Sequence, residues 1–253
     1  MERPHEIDRY IELASPFHSF DPRAKIVSFL FLILSIVLLR DLKLCFVGFF
    51  IALLFLFFSK VPLRFFISYM RWIFPFVSLF VVIMPFTVEG KEIFSLYNLK
   101  FTYEGLKYGT IIALRATSAA ILVFVVVSTT RFADIMKALY ELKVPNLLIQ
   151  MLMFSHRYVF VLQEEAQKML IAMRSRGFDI GTNLYSLRNL GRAIGMLFIR
   201  SYERADRVYH AMRARGYGGK PEVLTEFTMR AKDWALSLFI FTISISLHTL
   251  VVP

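Results

Sequence analysis

Five stretches of this chain cannot rest in water. Residues 24–39, 44–58, 65–86, 108–128 and 234–252 are nearly unbroken apolar runs. About 20 such residues in a helix cross the hydrocarbon core of a bilayer. Lipid offers a backbone no hydrogen bonds, so a span must be a helix or part of a closed barrel. The first two runs are short, roughly 16 residues each against the ~20 needed, which leaves their ends open. Composition agrees with the runs. The chain is 57% hydrophobic with 27 Phe and a mean hydropathy of +0.58 over 253 residues, above the 45–50% apolar content typical of soluble domains. The expectation is an all-α integral membrane protein with about five transmembrane helices.

Local signals mark some boundaries. Asp21 before Pro22 predicts a helix start, with a carboxylate N-cap and proline at the first helical position. The "RDLK" link after the first run predicts a tight helical hairpin with the second. Pro75 and Pro85 fall inside the third run, where neighbouring helices can satisfy the freed carbonyls. Residues 87–107 read as a mixed loop. The N-terminus is polar and carries no cleavable signal pattern, so the first span is expected to act as its own insertion signal.

Charge divides the chain. The formal net charge is +11. Residues 131–233 hold 17 Lys and Arg against 10 Asp and Glu, so most of the excess lies in one internal block. Positive charge marks the cytoplasmic side of a membrane protein. The resulting division is a cytoplasmic N-terminal segment at 1–23, four transmembrane helices over 24–128, a cytoplasmic block at 129–233, and a C-terminal transmembrane helix at 234–253. The N-terminus is then cytoplasmic and the C-terminus outside. The basic residues share their segments with long apolar stripes, so lipid headgroups or an acidic protein are the expected partners and nucleic acid is not.

The block is patterned for helices. Phe132, Ile135, Leu139 and Leu142 make one short amphipathic stripe ended by Pro145. Leu148, Leu152, Ser155, Val159, Leu162, Ala166, Met169 and Met173 follow alternating steps of four and three. Leu187, Leu190, Ile194, Leu197, Ser201, Ala205, Val208 and Met212 repeat that rhythm. These are two long helices with heptad-like seams. Ser155, Ala166, Ser201 and Ala205 are small residues that let helix backbones approach closely. They predict that the helices cross each other, or lie under the membrane domain, near those positions.

Each long helix ends in nearly the same words. "AMRSRGF" occupies 172–178 and "AMRARGY" occupies 211–217. At an offset of 39 residues, Glu164 also aligns with Glu203, Ala166 with Ala205, and Lys168 with Arg207. A glycine after the last turn is the commonest helix stop, and arginine in that turn favours the helix dipole. One copy needs no more than that. Two copies of Arg174-Ser175-Arg176-Gly177 and Arg213-Ala214-Arg215-Gly216, each followed by an aromatic, specify more than capping. They set a guanidinium, a rigid fork of donors, at the tip of a lever. Two equivalent tips call for two equivalent acidic grooves, hence a dimeric or pseudo-dimeric partner. The chain has no nucleotide-binding loop of its own: "GYGGKPE" places proline after its lysine and fails the phosphate-loop pattern. A pair of ATPase subunits, homodimer or heterodimer, fits the geometry.

With these motifs the sequence resembles the transmembrane coupling subunit, or T component, of energy-coupling factor transporters. "SPFHSFDPRAK" at 15–25 resembles the family's approach to its first span. "HRYVFVLQEEAQKMLIAMRSRGF" at 156–178 and "RSYERADRVYHAMRARGYGG" at 200–219 resemble its two coupling helices, with Ser175 standing where alanine is typical. "IDRYIELASPFH" at 7–18 looks most like the cobalt-uptake branch. The resemblance implies a non-catalytic subunit in the cytoplasmic membrane. It would pass ATPase motion to a separate substrate-binding S-type membrane subunit, with Arg176 and Arg215 as docking arginines, Gly177 and Gly216 as helix ends, and no cofactor. Cobalt is the implied cargo, with nickel or a vitamin as alternatives.

Other residues add little chemistry. His5, His18, His156, His210 and His248 form no metal-ligand pair, and Cys45 is the single cysteine. Arg71 and Arg115 lie within apolar runs. Arg71 is near the end of its span and can snorkel. Arg115 is deeper, and a contact with a partner subunit or a helix-breaking role stands against a snorkelled or internally paired side chain. Met169, Met173 and Met212 suit an adaptable docking surface, and core packing is an equal alternative for each. A stand-alone secondary carrier would need ionisable groups at the midplane, where only Arg115 stands. A membrane-bound enzyme would need a clustered catalytic set, which the sequence lacks.

Overall fold

The computed structural model describes residues 20–96, 99–218 and 229–249. The residues before Phe20, among them His5, His18 and the 7–18 stretch, lie outside the described residues, as do 219–228 and 250–253. Among the described residues the order is α1 (Pro22–Leu38), α2 (Leu42–Ser59), α3 (Leu63–Thr87), β1 (Glu92–Leu96), β2 (Leu99–Thr102), α4 (Tyr103–Ser128), α5 (Phe132–Glu141), α6 (Asn146–Ser175), α7 (Leu184–Ala214) and α8 (Ala231–Thr249). The fold is all-α apart from one small hairpin. It forms two compact units, 1–138 with 226–253, and 139–225. The chain passes from the first to the second within α5.

In the first unit α4 is the central helix, packed against α1, α2 and α3, while α8 packs on α1. The core is built from Phe29, Leu32 and Ile36 of α1, Leu122 and Val125 of α4, and Ile240 and Leu247 of α8. The outside is as apolar as the inside. Phe57 is 81% exposed, Trp72 77% and Phe74 68%. Aromatic side chains at that exposure around a whole bundle fit lipid rather than water as the surrounding solvent. Arg64–Thr87 and Tyr103–Ser128 are each long and apolar enough to cross a membrane. Helices α1, α2 and α8, with 17, 18 and 19 residues, are shorter than the usual span.

Small residues set the closest approaches. Ser28 and Ser35 of α1 and Ser237 and Ser244 of α8 are all buried, and each pair is one heptad apart. Ser35 Oγ donates to Ser244 O at 2.9 Å, tying the two helices across 209 residues of sequence. On α4, a Cβ at Gly105 would lie 2.5 Å from Met84 O and 2.6 Å from the Pro85 Cα, so only glycine lets α4 press against α3 there.

The Asp21–Pro22 start holds: Asp21 Oδ1 accepts from Arg23 N at 2.9 Å with proline in the first turn. The mixed loop expected at 87–107 is corrected. It contains β1 and β2, paired antiparallel with a bulge between Glu92 and Phe94, and α4 begins at Tyr103 rather than with its apolar run. The cause is Thr102. Its side chain accepts from Gly105 N at 3.3 Å, capping α4. Its hydroxyl reaches Val88 O at 2.7 Å and Pro85 O at 3.0 Å, carbonyls at the end of α3. One threonine starts a helix five residues before the apolar run begins.

Candidate functional site

In the second unit α6 has 30 residues and α7 has 31. Two side-chain contacts fix their directions. Glu165 of α6 pairs with Arg200 of α7, and the Tyr217 hydroxyl, just past α7, donates to Gln150 Oε1 near the start of α6. Position rises along one helix as it falls along the other, so the pair is antiparallel. Between them lies a cleft of about 650 Å³, lined by apolar and aromatic side chains such as Phe154, Tyr158, Val208 and Tyr209. Ser155, Ser201 and Ala205 line this cleft and Ala166 does not. The two serines turn inward on their own helices, Ser155 Oγ to Met151 O at 2.7 Å and Ser201 Oγ to Leu197 O at 2.6 Å. The heptad seams do not zip along their length: Leu148, Leu152, Val159, Leu187 and Ile194 are exposed.

The two repeated strings fold into the same object. At the end of α6, Gly177 has φ +81°. Its N–H donates to Arg174 O at 2.9 Å and the Phe178 N–H donates to Met173 O at 3.1 Å. At the end of α7, Gly216 has φ +86°. Its N–H donates to Arg213 O at 3.0 Å and the Tyr217 N–H donates to Met212 O at 3.1 Å. Each is a Schellman termination, which satisfies the last carbonyls only if the glycine is left-handed. Among the described residues, the glycine's own chain neighbours aside, no heavy atom lies within 4 Å of a Cβ placed on either glycine. Backbone conformation, not space, requires glycine here.

This backbone presents the arginines. Arg176 and Arg215 are the C-caps, with φ −96° and −88°. Arg174, Ser175, Arg176 and Gly177 are exposed, and so are Arg213, Ala214, Arg215 and Gly216. Among the described residues neither Arg176 nor Arg215 has an ion-pair partner. Arg213 sits 5.8 Å from the Tyr209 ring centroid, a cation–π contact that orients its stem. Met173 and Met212 are half-buried beneath the tips. At 1.5 Å per residue, Arg176 stands 11 residues beyond Glu165, and Arg215 stands 15 beyond Arg200 in the opposite sense. The tips are therefore about 40 Å apart along the pair.

The bracing differs between tips. Phe178 is buried, and the turn after it is held locally. Ser186 Oγ donates to Asp179 O at 2.9 Å, Gly181 N donates to Ser186 Oγ at 3.3 Å, and Asn183 caps α7 by accepting from Ser186 N at 2.9 Å. Tyr217 is half-buried and braced across the pair by Gln150. The sequence reading missed this bracing, although Asn183 three residues before Ser186 is a legible cap signal.

The remaining candidates fall elsewhere. Arg71 is exposed beside Trp72, 5.8 Å from its ring centroid. Arg115 is half-buried mid-helix with Nε unpartnered and Cys45 of α2 beside it. His210 approaches Asp206 at 3.5 Å on α7, and His156 packs edge-on against Phe160. Among the described residues no group of three His, Cys, Asp or Glu could hold a metal ion.

Similarity to known proteins bears on this arrangement. Residues 14–226 match a family model described as CbiQ, cobalt transport protein. The energy-coupling factor transporter transmembrane protein EcfT of Streptococcus thermophilus is 33% identical over 226 residues, 84% of this chain and 85% of that protein. EcfT of Listeria innocua is 30% identical over 227 residues, 85% of each. An uncharacterized protein of Methanocaldococcus jannaschii is 27% identical over 241 residues, 92% of this chain and 82% of that one.

Proposed function

This chain belongs to the CbiQ family of cobalt transport proteins, and on that premise we propose that it couples ATP hydrolysis to import as the transmembrane subunit of an energy-coupling factor transporter. The observation that carries the reading is the duplicated helix end. Two exposed arginines, without an ion-pair partner among the described residues, stand on identical left-handed glycine stops, about 40 Å apart, at opposite ends of an antiparallel pair. One compact partner cannot hold both tips in a single groove. Two copies or two homologous subunits can. The matched family and the EcfT relatives make ATPase subunits the partner of choice. The chain itself is non-catalytic in this reading.

Arg176 and Arg215 each enter an acidic groove on one ATPase subunit, where a buried guanidinium makes charge-assisted bonds of about 1.5–3 kcal/mol. Docking drives motion only through a difference in docking free energy between nucleotide states of the ATPase pair. The α6–α7 pair carries that motion to a substrate-binding S-type membrane subunit. Helices α1, α2, α3, α4 and α8 are the five spans, with the basic unit and the N-terminus in the cytoplasm and the C-terminus outside. Cobalt is the cargo favoured by the family description. Among the described residues the spans carry one half-buried mid-helix cation, Arg115, and no carboxylate partner for it, which disfavours a stand-alone carrier.

The test is affinity capture of the tagged chain from its native membrane, with bound subunits identified and counted by mass spectrometry. The parent is expected to retain two ATPase copies or one of each of two homologues. The Arg176→Ala, Arg215→Ala double variant is expected to lose both while remaining in the membrane. Retention of both subunits by the double variant overturns the docking role.

A further inference from the structure

The chain crosses between the units twice, at 138/139 within α5 and at 225/226. On the first unit's side the outgoing connection runs from α4 through Thr129 and Thr130 into α5, and the returning one enters α8 at Arg230. The first turn of α1 holds both. Lys25, 1% exposed, reaches out of α1 to donate from Nζ to Thr130 Oγ1 at 2.8 Å and to Thr129 O at 3.2 Å. On the returning connection, the Asp233 carboxylate is buried. It accepts from Arg230 N at 2.9 Å and from Asp21 N at 3.3 Å. Asp21 is itself buried and pairs with Arg23 at 3.2 Å.

A buried lysine is costly unless its protons find acceptors. Here they find the free carbonyl end of α4, the negative pole of that helix. The hydrophobic core takes in Phe20 and Ala24 beside these groups and continues through Phe29, Leu32 and Ile36. Their contacts lie 104, 105 and 212 residues away in sequence, and all of them fall on the two connections. A displacement entering through α5 alone would be absorbed by the short stretch between α4 and α5. Held at a shared point with the start of α8, the two connections cannot move separately.

We propose that the Asp21–Lys25 turn is the clamp through which motion of the α6–α7 unit reaches the helix bundle, Lys25 gripping the outgoing connection and Asp21 with Asp233 the returning one. Lys25 and Asp233 are positioning residues. The inference rests on the coupling role proposed above.

The experiment uses the full chain with its ATPase subunits in lipid nanodiscs. Amide hydrogen exchange is mapped without nucleotide and with ATP plus vanadate, beside the ATP hydrolysis rate. Lys25→Met, which keeps the apolar stem, is expected to speed exchange at 129–135 at least tenfold and leave 230–236 unchanged. Asp233→Ala is expected to do the reverse. In Lys25→Met, ATP hydrolysis stays within twofold of the parent while the nucleotide-dependent change in α1 and α8 falls below a third. Lys25→Arg restores it, since a guanidinium reaches the same acceptors. Exchange that rises across the whole bundle, or a full nucleotide response in Lys25→Met, overturns the clamp. A parent complex that binds no ATPase or shows no nucleotide response overturns the coupling role instead. The nucleotide-free map then still decides whether Lys25 holds the α4–α5 junction.

Discussion

The ends of α6 and α7 share a backbone to within 0.1 Å in their glycine hydrogen bonds, yet they are held in place differently. Past the α6 tip Phe178 is buried, and the next eight residues are held among themselves by the Asp179–Ser186 contact. The α7 tip is braced by a residue on the other helix, through Tyr217 and Gln150. The difference teaches that the repeated string specifies how an arginine is presented, and the surroundings specify how firmly. A local brace moves with its helix. A brace across the pair makes the α7 tip report the relative position of both helices.

The largest effects should test whether the tips are equivalent. Arg176→Ala and Arg215→Ala, made singly, are each expected to weaken ATPase binding about 10- to 150-fold, the loss of about 1.5–3 kcal/mol of charge-assisted bonding. Titration of purified ATPase onto the immobilised chain checks this, and a ratio between the two variants beyond threefold breaks the equivalence. Gly177→Ala and Gly216→Ala come next. Left-handed backbone costs an L residue about 1–2 kcal/mol, and neither site adds a clash. Equal losses in a detergent melting assay are expected, together with a lower affinity as the arginine is re-aimed.

Tyr217→Phe separates the tips. Removing one hydrogen bond costs about 1 kcal/mol, with no counterpart at Phe178. A double-mutant cycle is expected to couple Tyr217 to Arg215 and leave Tyr217 and Arg176 additive. Coupling to both would mean that the tips are not mechanically separate. The smallest effect belongs to Glu165→Gln. The Arg200 pair is half-exposed, 52% on the arginine side chain and 23% on the glutamate, and is worth about 0.2–1 kcal/mol. Its contribution to melting is expected to vanish in about 1 M salt, where the screening length falls to about 3 Å.

Much of this was legible in the chain because it is local. The apolar runs predicted α1, α2, α3, α4 and α8 to within a few residues, except where Thr102 starts α4 early. The Asp21 cap and the stops at Gly177 and Gly216 were legible because a cap and its partners lie within six residues of each other. The heptad-like rhythm predicted α6 and α7 but overstated their seam, since periodicity fixes which face is apolar and not what covers it.

Sequence alone determined that the chain builds long helices, that the outside of one unit is apolar, and that two arginine–glycine ends are alike. Their energies come from hydration and from hydrogen bonds between near neighbours, which travel with the string. Only the tertiary structure decided that the two ends face opposite ways, that Tyr217 finds Gln150, that Ser35 meets Ser244, and that Lys25 spends its charge on the α4–α5 junction. Those contacts join residues 67, 209 and about 105 positions apart, and nothing in a linear pattern encodes which distant carbonyl will be free when a buried ammonium needs one.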